Sequence, residues 1–272
     1  MKHLTIPAFT LACALTACGG GGGDGPAPVP TSPTIATSSV TVPPPTPSAP
    51  AAPATPSTPP PPPVTPPPAA ASLASVAQVI EYYGDSTIWG WATNSGGAQV
   101  NKPAPLAFAE AFPASPHQEV RNEGVSGTTA CSLLNGDGKH AEWAQQMAAS
   151  TATVVIINHA INDAKPDTGE SLGAYKTCLL SLIQIAKNKG KRVILETPNP
   201  VSGFSGLENY VAAMKEIAAQ ETVSVIDQYK YLTDYLNGRD PSEITPDGLH
   251  PTDEVYIMKG KHAENVFVSF SL

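Results

Sequence analysis

The stretch Thr151-Ala152-Thr153-Val154-Val155-Ile156-Ile157-Asn158-His159-Ala160-Ile161-Asn162-Asp163 decides the fold. Val154 to Ile157 form an unbroken apolar, β-branched run, the pattern of a strand buried on both faces. Working outward, shorter or weaker strand signals occur at Val76–Tyr83, ending at Gly84, and at Glu119–Asn122, ending at Gly124. Two more lie at Lys191–Glu196 and Thr222–Ile226. Helical periodicity fills the gaps. Leu172, Tyr175, Leu179, Leu182, Ile183 and Ala186 make one stripe that stops at Gly190. Tyr210, Met214, Ile217 and Ala218 make a second, and Val255–Val268 a terminal one. Five strands alternating with helices predict a mainly parallel sheet covered on both faces, a three-layer α/β/α sandwich. In such sheets ligands sit beyond the carboxyl ends of the strands, so the residues just after each strand are the candidates for chemistry.

The N-terminal part of the 272-residue chain reads differently. Of its 30 prolines, 19 fall between Pro26 and Pro68, and no charged residue occurs between Asp24 and Glu81. Such a segment cannot bury enough apolar surface to offset chain entropy, so residues 18–75 are expected to be a Gly/Pro-rich disordered tether. Lys2 and His3 precede an apolar run from Leu4 to Leu15, too short to span a bilayer, which predicts a secretory signal over residues 1–17. Leu15-Thr16-Ala17-Cys18 followed by Gly19 resembles a bacterial lipobox. That resemblance implies lipidation of Cys18 and a membrane partner reached through acyl chains. It also implies a place in the cell envelope as an outer-membrane lipoprotein. The folded domain is then residues 76–272. With Cys13 lost and Cys18 acylated, Cys131 and Cys178 remain, and an oxidising compartment makes a bridge between them the expectation, against two free thiols. A formal charge of −8 and a pI near 5.2 argue against a nucleic-acid partner.

Four short blocks follow the expected strands: Gly84-Asp85-Ser86-Thr87, then Asn122 to Gly127, then Ala160 to Asp163, and last Asp247-Gly248-Leu249-His250. Each alone is weak, since Gly-Asp-Ser is commonly a turn. Their order resembles the SGNH hydrolases, also called GDSL esterases and lipases, over about Val79 to His262. The resemblance implies a five-stranded flavodoxin-like sheet. It makes Ser86 the nucleophile, His250 and Asp247 its partners, and Ser86, Gly124 and Asn162 the oxyanion-hole donors. Two positions depart from the pattern. Thr87 stands where a leucine is usual, and Ala160 stands where a glycine is usual, its methyl expected to narrow the oxyanion pocket.

The chemistry stands beside the resemblance. A serine hydroxyl needs an adjacent base, and an Asp three residues before a His can orient the imidazole. A tetrahedral oxyanion needs preorganised donors, and a glycine lets backbone approach closely. Competing residues read otherwise. His159 is expected as a loop or supporting histidine, His117, His140 and His262 as surface residues. Asp85 is expected to hold the nucleophile turn, and Asp163 to cap a helix or order the Asn162 loop. Trp89 and Trp91 either line a substrate cleft or are simply packed. No metal or cofactor is implied. The reading is an exported serine esterase acting on a small ester, an acylated glycan or a lipid. An envelope acyltransferase or deacetylase on the same triad, and a silent binding module of the same fold, are the alternatives.

Overall fold

The computed structural model describes residues 77–93, 96–112, 118–168 and 170–270. The expected signal, Cys18 and the tether lie outside the described residues, as do His117 and Val76. Along the chain the elements are β1 (Gln78–Gly84), α1 (Ser86–Trp89), α2 (Ala104–Ala111), β2 (Gln118–Gly124), α3 (Ala130–Asn135), α4 (Trp143–Ala149) and β3 (Val154–Ile157). They continue with α5 (Ile161–Ala164), α6 (Leu172–Asn188), β4 (Arg192–Glu196), α7 (Leu207–Glu221), β5 (Ser224–Ile226), α8 (Gln228–Leu236), a 3₁₀ turn (Pro241–Glu243) and α9 (Asp253–Phe267).

The sheet runs β2-β1-β3-β4-β5 and every pairing is parallel. Strand alternation sends side chains to two cores. Val155, Ile157, Val193 and Leu195 pack with Tyr175, Leu179, Leu182 and Ile183 of α6 and with Met214 and Ile217 of α7. Val154, Ile156 and Ile194 face Phe108 of α2 and Phe267 of α9. Those two rings meet edge-on at 5.4 Å, and each wholly buried phenyl is worth about 1.5–3 kcal/mol of transfer free energy. The helices start where the caps predict. Ser171 accepts from Ala174 N at α6, and Thr252 from Val255 N at α9, whose first turn carries Asp253 and Glu254 against the positive helix end.

Register places the site. Gly84 pairs with Gly124 and Tyr83 with Ile157, so the first three strands end at one rim. β2 is longer than its apolar signal because it pairs with β1 from Gln78–Gln118 to Gly84–Gly124 as an edge strand, leaving most of its side chains partly exposed. β5, the other edge, is shorter than expected.

Candidate active site

Each block after a strand is shaped by local hydrogen bonds. β1 ends at Gly84, and Asp85 caps α1: its Oδ1 accepts from Thr87 N and from Thr87 Oγ1, both at 2.8 Å. Ser86 is therefore the first residue of a four-residue helix, nearly buried, with its hydroxyl at the rim. Burial pushes the Asp85 carboxyl up, and the two Thr87 bonds pull against that. Asp247 organises the last block. Its Oδ1 accepts from Leu249 N (3.0 Å) and His250 N (2.8 Å), and its Oδ2 lies 2.6 Å from His250 Nδ1. Burial opposes ionisation of Asp247, but the His250 and Leu249 bonds outweigh it and hold the carboxyl below its usual range. A carboxylate on Nδ1 places the ring proton there and leaves Nε2 as the acceptor. That nitrogen is 2.8 Å from Ser86 Oγ. The structure thus brings Ser86, His250 and Asp247 into one line.

The line opens into a cavity of about 310 Å³ whose walls include Trp91, Gly127, Ile161, Asn162, Lys165 and Leu249. Trp91 stacks on the His250 ring at 5.5 Å between centroids, and Gly97 lies so close to its ring that a Cβ there would come within 2.6 Å of two ring carbons. Trp91 is therefore a fixed wall of the cleft. Trp89 does not line this cavity; its ring sits 6.1 Å from that of Trp91.

Gly124 is a correction. It is the last residue of β2, its N–H donates to Asn122 Oδ1 (3.0 Å), and a Cβ on it would sit 2.3 Å from Trp89 N. It is a glycine because α1 packs on the strand end there, and it does not reach the cavity. Gly127, three residues further, does. Its φ is +82°, a left-handed conformation suited to glycine, with open space where a Cβ would be. The missed signal was position: Gly124 is still inside the strand, whereas chemistry lies beyond strand ends.

Asn162, in α5, lines the cavity and donates one amide N–H to Thr128 O (3.0 Å), which ties its loop to the Gly127 loop and leaves its second N–H for the cavity. Ala160 is a second correction. It is wholly buried in the core below α6 and is no part of the cavity wall, so its methyl does not narrow the pocket. His159 is buried, and burial pushes it down to about 4. Thr128 gives its hydroxyl proton to Val125 O (2.7 Å), so His159 Nε2 donates to Thr128 Oγ1 (3.1 Å) and steadies the same loop. Asp163 accepts from Ala130 N (2.8 Å) at the start of α3, and burial pushes its carboxyl up to about 8. His140 is not a free surface residue: its side chain is 7% exposed, with Nδ1 2.7 Å from Asp137 Oδ2 and Nε2 3.1 Å from Glu123 Oε2. His262 is half-buried and stacks on Tyr231 at 3.9 Å. Cys131 of α3 and Cys178 of α6 are bonded, with Cα atoms 5.1 Å apart.

A family model described as GDSL-like lipase/acylhydrolase matches residues 82–256, from the end of β1 through the His250 loop. The chain belongs to this family. As a GDSL-like acylhydrolase it is a serine ester hydrolase, and its parallel five-stranded sheet is the family's fold. Among solved structures it resembles the acetylxylan esterase Axe2 from Geobacillus stearothermophilus, at 21% identity and TM-score 0.58, covering 71% of this chain and 95% of that one. A protein from Parabacteroides merdae described as a GDSL-like lipase is similar at 16% identity and TM-score 0.58, covering 70% and 95%. One from Desulfitobacterium hafniense described as a lipolytic protein of the G-D-S-L family follows at 20% and 0.57, covering 70% and 99%. No curated protein matches the chain.

Proposed function

We propose that this GDSL-like acylhydrolase is an exported, lipid-anchored esterase that removes short acyl groups through an acyl-enzyme formed on Ser86. The observation that carries the reading is the unbroken Ser86–His250–Asp247 line at the floor of an open cavity. Ser86 Oγ attacks the ester carbonyl while His250 Nε2 takes its proton, and Asp247 holds the ring and stabilises the imidazolium. His250 then returns the proton to the leaving alcohol. Water enters, loses a proton to Nε2, and frees the acid and Ser86. The backbone N–H groups of Ser86 and Gly127 and the second amide N–H of Asn162 receive the carbonyl oxygen as it gains charge.

The cavity favours a small acyl group. At about 310 Å³ it lies at the low end of ligand sites, which limits the length of acyl chain it encloses. An acetylated carbohydrate is an ester with such a short acyl group, and Axe2 is named an acetylxylan esterase. The Cys131–Cys178 bond agrees with an oxidising compartment outside the cytoplasm. The tether and Cys18 give the anchor.

p-Nitrophenyl esters of rising chain length, tested beside acetylated oligosaccharides, check the reading. Activity should peak at acetate to butyrate and vanish in a folded Ser86→Ala variant. Parental activity in that variant would refute Ser86 as nucleophile, and rates rising toward long chains would refute the short acyl group.

A further inference from the structure

Ser86 and His250 lie 164 positions apart along the chain, yet their contact is 2.8 Å. Lys259 of α9 is fully buried. Its Nζ donates to Asn199 Oδ1 at 3.2 Å. Asn199 Nδ2 in turn donates to the carbonyls of Pro200 and Leu249, both at 3.1 Å, and Leu249 is the residue before His250. The ammonium also attracts two buried carboxyl groups, Glu196 at the end of β4 and Asp85, the cap beneath Ser86. Glu196 Oε1 accepts from Asn158 Nδ2 at 3.1 Å, and Asn158 N donates to Tyr83 O beside Gly84.

Burial pushes the Glu196 carboxyl up, against the attraction of Lys259. Burial likewise pushes Asp85 up and Lys259 down, so charge is costly on all three groups, and the direct bond that Lys259 Nζ makes is the one to Asn199 Oδ1. Buried ion pairs add little net stability over apolar residues of the same volume. A lysine rather than a methionine on this face of α9 therefore calls for a use other than packing.

We propose that Lys259 is a positioning residue of the hydrolytic site, holding the His250 loop through Asn199 so that the base stays aligned with Ser86. The proposal rests on the reading that Ser86 and His250 react. Misplacing reacting groups by about 1 Å can cost on the order of 100-fold in rate, whereas substrate contacts, and with them KM, need not change.

The test uses Lys259→Met and Asn199→Leu in the full chain, with p-nitrophenyl acetate as substrate and competent sites counted by stoichiometric fluorophosphonate labelling. Per labelled site, kcat should fall by about 10- to 100-fold in both variants with KM within twofold of the parent. Labelling itself should slow by a similar factor. A kcat within twofold of the parent in either folded variant would overturn the proposal. So would failure of both to fold, since the two residues would then serve the fold itself rather than the alignment of the site. Ser86→Ala separates the two ideas. If it stays active the parent reading fails, and if it is dead while Lys259→Met is parental, only the positioning role fails.

Discussion

Replacing each of two neighbouring glycines by alanine tests where the backbone oxyanion donor sits. In Gly127→Ala the new methyl meets open space, so the fold bears only the left-handed backbone at φ +82°. That strain is about 1–2 kcal/mol, which in a domain of this size lowers the melting temperature by roughly 2–8 °C. On the proposed assignment, relaxing the strain turns the Gly127 N–H away from the substrate oxygen. Losing one such donor costs ~10²–10³ in kcat, and a partial turn should cost at least about tenfold. Gly124→Ala is the opposite case. Its methyl would lie 2.3 Å from Trp89 N and 2.8 Å from the Ile88 carbonyl carbon, both backbone atoms that cannot step aside cheaply. Overpacking there costs about 1–3 kcal/mol or more, so the main loss is in stability. Thermal melts by circular dichroism and kcat on p-nitrophenyl acetate, per fluorophosphonate-reactive site, read both effects. If folded Gly127→Ala keeps parental kcat, the placement of the donor in the second loop is wrong.

Three further expectations concern two sites of buried ionisable groups and the disulfide. Burial opposes the charge on His140, but its bonds to Glu123 and Asp137 raise its folded value above the usual histidine range. Glu123 is lowered to about 2, chiefly by the same His140 bond and against burial. The clamp therefore stabilises fully between about pH 4.5 and 6.5, fading as pH rises through the folded His140 value and as it falls toward 2. The melting-temperature gap between parent and His140→Gln should be widest in that window; a gap independent of pH would rule the clamp out. Asp163, pushed up to about 8 by burial, keeps a proton in the fold that the unfolded chain releases near 4, so parental stability falls across that interval. Asp163→Asn should gain on the parent from pH 4 to pH 8, and an equal difference at both would count against a neutral carboxyl. Cys131 and Cys178 close a loop of 47 positions, worth ~4 kcal/mol in the chain-entropy account. Cys131→Ala/Cys178→Ala should lower the denaturation free energy by about that amount, and an unchanged midpoint would sink the estimate.

The layers were legible because burial on two faces leaves a mark in the sequence. Val154–Ile157 had to be apolar throughout, and the α6 stripe had to recur every three to four residues. β2 was only partly legible, since an edge strand with half-exposed side chains is selected for pairing rather than hydrophobicity. α1 and α5, four residues each, are too short for any period to form. Gly124 and Gly127 look alike in sequence, and only the point where the strand ends tells them apart. Lys259 sits among ordinary helical residues, and nothing in its neighbours announces that α9 turns it inward.

The two Asp-Gly-x-His segments draw the line between local and tertiary information. In both, the aspartate Oδ1 takes the next backbone N–H groups and Oδ2 meets Nδ1 of the histidine three residues on. That arrangement is local and follows from spacing alone. What faces Nε2 does not: Glu123, 17 positions away, for His140, and Ser86, 164 positions away, for His250. Side-chain spacing along a turn is a property of neighbouring residues, so the sequence by itself contained both dyads. Which of them acquired a serine was decided by the register of parallel strands and the packing of α9, because only those forces bring distant segments to one rim.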